Sequence, residues 1–386
     1  MKKVFTLITG LTMLVGTLQA QINYLGQDFG AGEHRVVLSH VPMLLITPDA
    51  QAAGMGDMGV ATAPSANDIF WNPAKMSFHQ SKFAVNVGRN PWLRTLFSGV
   101  NFYSISGHYK LSEGQAIGLS LRHFSGITSF NGVLPIFDEN ARDIALDLGY
   151  STKLSKHLGI GVVAKYVHSR LYRTDAFIGG VSNDFQNGKT FAVDLALFYS
   201  KPVKVMGTEA KFKWGINVSN LGPKVSYSDT QAEFKYFIPT NLRIGTSLQF
   251  SLAPNHQLLV GTDLNKLLVP TPPAYDDQFN IVKGTDPNEK NTLQGILGSF
   301  GDAPDGFSEE LQEFTWALGV AYQYKNWLSV RTGTFREHRQ KGNRKYLTLG
   351  LGVKIVKKVN LNTSYVLSRR GDPLNRTFRL SAGFEL

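Results

Sequence analysis

A chain of 386 residues with no cysteine excludes a disulfide scaffold, a thiol nucleophile and a Cys-ligated zinc or iron–sulfur site. Only 18% of the residues are charged, 11% are aromatic and 38 are glycine, which fits neither a disordered chain nor a typical helical enzyme. No apolar run reaches the roughly 18 residues of a membrane-spanning helix, so the formal charge of +11 does not belong to a helical membrane protein either.

The first residues read as an export signal. Lys2 and Lys3 precede a short apolar stretch from Val4 to Val15, and the small residue Ala20 predicts cleavage after position 20. That stretch is too short to span a bilayer as a helix. Loss of Lys2 and Lys3 leaves a charge of +9 on the exported chain. Outside the cytoplasm this charge points to lipid phosphates or acidic proteins, and no nucleic-acid partner is expected.

Residues 21–81 show no alternation. Pro48 to Gly59 is dense in small residues, and Trp71-Asn72-Pro73-Ala74 follows. Gly54, Gly56 and Gly59 formally spell a G-x-G-x-x-G, but a dinucleotide site needs that motif at a strand end opening a helix, and no such α/β pattern follows. Small residues also let backbone pack closely in a confined space. The expectation is therefore a hatch within a barrel, with Gly54, Gly56, Gly59, Asn72 and Pro73 at its close contacts.

From about Lys82 to Leu386 the chain alternates with period two, in segments of roughly ten residues, the length a tilted strand needs to cross a bilayer. Leu347, Leu349, Leu351, Val353 and Ile355 oppose Tyr346, Thr348, Gly350, Gly352 and Lys354. Phe378, Leu380, Ala382, Phe384 and Leu386 oppose Thr377, Arg379, Ser381, Gly383 and Glu385. The second face carries small residues and charges of both signs: Arg122, Asp143, Asp147, Lys165, Asp194, Lys213, Arg243, Asp263, Arg331 and Lys354.

Alternation alone fits a soluble sandwich as well as a barrel. Connection length separates them. Tight turns are expected near 110–114, 153–156, 251–255, 324–326 and 356–358, with a somewhat longer link at Lys201–Glu209. Between them lie long links at 125–140, 170–188, 221–237 and 265–311, as in outer-membrane barrels with short periplasmic turns. Tyr150, Tyr199, Trp214 and Tyr324 fall at or near the short-turn ends of the apolar face and Trp316 at the other, where interfacial girdles sit. The fold class predicted is all-β: a transmembrane antiparallel barrel of about fourteen strands over residues 82–386, preceded by the hatch segment 21–81.

Two runs resemble a known family. Pro48 to Phe78 and Gly298 to Phe314 (GSFGDAPDGFSEELQEF) are similar to the PorV family of the type IX secretion system, whose members adopt the FadL-like barrel fold. The resemblance implies an outer-membrane protein with no cofactor. It implies binding of the C-terminal signal domain of cargo at an SprA/Sov-like translocon. Delivery to an attachment complex with a PorU-like sortase, where cargo is anchored to lipopolysaccharide, would follow. Long outer loops suit such recognition. The 265–311 loop is acidic around Asp302, and the late loops are basic at Arg336, Arg339, Arg344, Arg369 and Arg370. Asp302, Pro304, Phe307 and those arginines are the candidate partner-binding residues. Basic loops would equally meet lipopolysaccharide phosphates.

Two other functions remain open on the sequence. One is a FadL-like transporter of hydrophobic molecules, which needs an apolar lumen pocket and a gap in the wall. The other is a lipid A deacylase, since His123 and Ser125 share the apparent lipid face of one strand. The reading favours no enzyme. No metal site is expected, because Asp276-Asp277 lacks calcium-loop spacing and His157 and His168 lie far apart on one strand.

Overall fold

A computed structural model describes residues 35–386 apart from 93–99, 128–136, 173–176, 179–180, 183–185, 229–234, 277, 279, 357, 371 and 373. The export signal at 1–20, residues 21–34 and much of the expected 125–140 and 170–188 links lie outside the described residues.

Fourteen strands form one closed wall. In chain order they are β1 Phe83–Pro91, β2 Asn101–Ser112, β3 Gln115–Ile127, β4 Phe137–Lys153, β5 Leu158–Tyr172, β6 Gly188–Val205 and β7 Thr208–Leu221. There follow β8 Asn241–Ala253, β9 His256–Leu267, β10 Thr315–Tyr324, β11 Leu328–Arg336, β12 Lys345–Ile355, β13 Val359–Ser368 and β14 Phe378–Glu385. Each pairs antiparallel with the next, and β1 closes on β14 through a register running from Ala84↔Glu385 to Arg89↔Leu380. Among the described residues no helix is long and apolar enough to cross a membrane; the strands are the crossing elements.

The alternation sorts the side chains as the sequence predicts. Leu119, Leu148, Leu195, Leu318, Leu349 and Leu380 point outward and stay exposed, the arrangement a lipid-facing wall requires. Nine of the ten charged residues assigned to the other face are buried, and Lys354 is half-buried. They pair across neighbouring strands: Arg122 with Asp147 at 3.1 Å and Lys165 with Asp194 at 3.0 Å. Pairing of this kind keeps a buried charge from bearing its full desolvation cost.

Two expectations need correction. The longer link at 201–209 is strand: β6 continues to Val205 and β7 starts at Thr208. Met206 and Gly207 close the hairpin at φ of 47° and 77°, the left-handed pair of a two-residue turn. The interior is also not purely hydrophilic. Phe102, Phe124, Phe198, Phe335 and Tyr346 face inward, and all five, with Val163 and Val167, cluster with apolar residues of the N-terminal segment. Those residues need a dry partner, and the wall supplies it.

Candidate functional site

Residues Val41 to His79 run through the interior and touch inward faces on all sides of the wall. Two short helices, α1 Ala50–Ala53 and α2 Asp68–Trp71, and a 3-10 turn at Pro73–Phe78 give the segment its shape. The buried Asp49 carboxylate caps α1 by accepting from Ala52 N at 2.9 Å and takes the Trp71 indole N–H at 2.8 Å. Asp263 on β9 accepts Gly59 N and Val60 N, Ser104 on β2 donates to Pro48 O, and Ser151 on β4 donates to Ala74 O. Lys75 bridges Asp68 at 2.8 Å and the Gly59 carbonyl at 2.8 Å, so its buried charge is met within the segment.

The residues singled out in this segment occupy its closest approaches. A Cβ on Gly54 would press on the Gly350 backbone of β12, and one on Gly59 would overlap the Trp71 ring. Gly56, at φ 70°, lies against the Thr334 backbone of β11. Asn72 donates to Leu197 O on β6 at 2.8 Å and accepts from Ala74 N, while Pro73 opens the 3-10 turn.

Above this packing the outer links fold onto one another. The longest runs over 268–314 and contains α3 Thr292–Gly298 and α4 Phe307–Gln312. Three acids in or just beyond α4 turn inward and are buried. Glu309 pairs with Arg35 at 2.8 Å and with Lys341 at 2.6 Å. Glu310 pairs with Lys266 at 3.0 Å, and Glu313 accepts from Lys266, Lys341 and the Thr271 hydroxyl. One network thus joins the N-terminal segment, the end of β9, the long link and the link after β11. Burial alone would raise the Glu309 carboxyl, but hydrogen bonds from Arg35 and Lys341 outweigh it and hold the group down at about 2.

Placement divides the candidate partner-binding residues. Asp302 is tied to Lys290 at 2.8 Å, and Pro304 is buried. Arg344 forms a two-pronged pair with Glu337. Arg336, Arg339 and Arg370 are exposed, Arg369 is half-buried, and Phe307 is 74% exposed. Much of the acidic charge expected to face a partner is therefore consumed inside the molecule. Arg35, Lys266 and Glu313 were not among the candidates; the only hint in the sequence was the helical spacing of Glu309, Glu310 and Glu313.

An apolar patch remains on the long link. Leu293 and Leu297 of α3, Phe300, and Phe307 and Leu311 of α4 are each at least half exposed. They belong to a link between strands, so the lipid that covers the wall leucines does not account for them.

His123 and Ser125 follow Leu119 and Leu121 on the outward face of β3, opposite Tyr103 and Asn101 of β2. Among the described residues no hydrogen bond joins the two, and the nearest inward acid, Asp143, takes the Ser169 hydroxyl instead. Two cavities open into the interior. One of about 420 Å³ lies at the outer end among Val36, Trp71, Trp92, Arg243, Phe335 and Leu374; one of about 760 Å³ opens at the short-turn end.

A closed antiparallel wall of fourteen strands, lipid-facing leucines and an interior occupied by its own N-terminal segment define an outer-membrane β-barrel. One solved structure supports the fold, and two others stand beside it. The TodX deltaS2S3 mutant monoaromatic hydrocarbon channel is similar at TM-score 0.51 and 12% identity, covering 87% of this chain and 98% of that one. The Pseudomonas putida toluene transporter TodX gives 0.47 at 13% identity over 91% and 98%, and a Pseudomonas aeruginosa FadL homologue gives 0.46 at 11% over 91% and 99%. No curated protein matches the chain. The family model described as "Type IX secretion system protein PorV" matches residues 29–274, well over half of the sequence. The chain belongs to the PorV family of the type IX secretion system.

Proposed function

We propose that this protein binds the C-terminal signal domain of secreted cargo at an SprA/Sov-like translocon and hands it to a PorU-like sortase complex at the cell surface. The observation that carries the reading is the apolar patch of Leu293, Leu297, Phe300, Phe307 and Leu311 on an outer link, with exposed arginines on the later links. Exposed apolar side chains away from the lipid-facing wall mark protein-binding surfaces, and exposed arginines are enriched in them. The filled interior supports the same reading, since a lumen crossed by Val41–His79 makes a poor conduit for protein. Affinity isolation from detergent-solubilised outer membranes tests it. Recovery of a very large translocon chain and cargo signal domains is expected, with cargo recovery falling at least tenfold for Leu297→Glu with Phe307→Glu. Recovery of neither partner would overturn the proposal.

The outer cavity of about 420 Å³, bordered by Val36, Trp92, Phe335 and Leu374, favours a second reading: a FadL-like transporter of hydrophobic molecules. Against it, the described strands pair in an unbroken ring, which leaves no lateral exit. Uptake of a hydrophobic solute by cells with and without the protein separates the two readings.

A further inference from the structure

The cavity at the short-turn end is lined by several cations and one carboxylate. Elsewhere most inward cations meet carboxylates: Arg122 with Asp147, Lys165 with Asp194, Lys75 with Asp68 and Arg379 with Asp57, while Arg243 donates to the Phe70 carbonyl and lies over the Trp71 ring. Lys213 on β7 and Arg331 on β11 both line this cavity and both are buried, at 2% and 8% exposure. Neither has an ion pair among the described residues. Lys213 donates to the Gln249 carboxamide and Arg331 Nη1 donates to Asn362 Oδ1 at 2.9 Å. The single carboxylate in the lining, Glu385, is taken by Lys354 at 2.7 Å and by Asn360.

Neutral amides connect the two cations along the wall. Gln249 donates to Gln257 at 2.6 Å, and Gln257 stands opposite Gln323 in the β9–β10 register. Each carboxamide offers a donor and an acceptor, the pair of groups that a peptide bond presents in return. Buried cations left beside neutral amides keep an unmet demand for negative charge, because an amide dipole offsets only part of the desolvation of a full charge.

Size decides the kind of anion. The cavity measures about 760 Å³, far above a single oxyanion and within the range that encloses an organic ligand or a short peptide. Lys213 and Arg331 are four strands apart, about 19 Å along the wall at the usual strand spacing, so one ligand meeting both must be extended. The turns that frame the mouth, at His157 and Trp327, are the short ones, which places it on the periplasmic side.

The geometry points to this cavity as a binding site for an acidic peptide segment presented from the periplasm, its carboxylates meeting Lys213 and Arg331 and its main chain meeting the Gln249, Gln257 and Gln323 amides. This site lies at the opposite end of the barrel from the apolar patch, and it stands whether or not cargo binds outside.

The test uses the mature full-length protein in detergent micelles and isothermal titration with three probes: the peptide acetyl-Glu-Gly-Glu-Gly-Glu-amide, its Gln-for-Glu counterpart, and inorganic phosphate. The acidic peptide is expected to bind at least tenfold more tightly than the neutral one, and to weaken as salt rises. Lys213→Met and Arg331→Gln, each first checked for native heat-modifiable migration, should each weaken it by at least tenfold. Equal binding of the acidic and neutral peptides by the unaltered protein overturns the proposal, and it needs no variant to fold. Binding of phosphate alone overturns it too, by assigning the cations to a free oxyanion.

Discussion

Lys341 Nζ lies 2.6 Å from Glu309 Oε1, and this contact fastens the link after β11 to α4 of the long 268–314 link. Both side chains are buried, and each keeps a second partner if the other is removed: Glu309 retains Arg35, and Lys341 retains Glu313. Lys341→Met is expected to cost about 1–3 kcal/mol of local docking, the worth of hydrogen bonds to charged groups whose other partners remain, and the doubly neutral Lys341→Met with Glu309→Gln less than the single change. Limited proteolysis of the 268–314 link measures it. Cleavage no faster in the single variant than in the parent would show that the pair fastens nothing.

The Glu309 contacts with Arg35 and Lys341 set a pH window. Glu309 is held at about 2 in the folded protein against an ordinary 4.5. A depressed carboxylate contributes stability that is complete above the ordinary value and is lost as pH falls through the folded one. Docking of the link should therefore hold at pH 5 and loosen between about 4.5 and 2. Hydrogen exchange of residues 300–314 across that range reads it, and Glu309→Gln should flatten the profile.

The glycines of the wall predict how firmly the inner segment is seated. A Cβ on Gly161 of β5 would overlap Ala74, and one on Gly333 of β11 would overlap the Met55 and Gly56 backbone. Backbone cannot swing aside as a side-chain tip can, so Gly161→Val and Gly333→Val should each destabilise by about 1–3 kcal/mol or more. Gly114 of the β3 hairpin meets only Lys153 side-chain carbons at 3.6 Å and beyond, so Gly114→Ala is the tolerant control. Unfolding midpoints in urea compare the three.

The wall was legible because its signal is local. Each strand carries its own alternation, and a residue's face follows from its parity, as Leu349 outward and Thr348 inward show. The tightness of the β6–β7 turn was missed because Pro202 and three lysines between 201 and 211 mask the alternation where the strands run on beyond the lipid. The Glu309 network was out of reach for a different reason. Arg35 and Glu309 are 274 residues apart, and pairing at that range follows from the closed barrel and from no neighbouring residue. The Lys213–Arg331 cavity was hidden likewise: both residues were read as inward, but which inward charges lack a partner depends on how the three intervening strands register.

Lys165 and Asp194 provide a clean measure of the interior charges. Lys165 Nζ is 3.0 Å from both Asp194 oxygens, and Asp194 also accepts from Asn220 N. Lys165→Met leaves a buried carboxylate without its counter-charge and should cost about 3–5 kcal/mol. Lys165→Met with Asp194→Leu removes both charges and should recover part of that loss, leaving the Asn220 amide as the unmet group. A double variant as unstable as the single one would place the cost in packing and not in charge.

The lipid-facing assignment makes the sharpest demand. Leu349 lies near the middle of β12 on the exposed face, between Thr332 and Tyr365, whereas Ile355 ends the same strand. A charge on the lipid face is penalised by depth: about 2–4 kcal/mol at the bilayer midplane and about 0–1 near the interface. Leu349→Lys should therefore be far more destabilising than Ile355→Lys when the barrel is unfolded reversibly from lipid vesicles. In detergent micelles, where the apolar layer deforms around a charge, the gap between the two variants should narrow. Equal penalties for both positions in vesicles would mean that depth has no influence, and that the leucine face of β12 does not meet lipid.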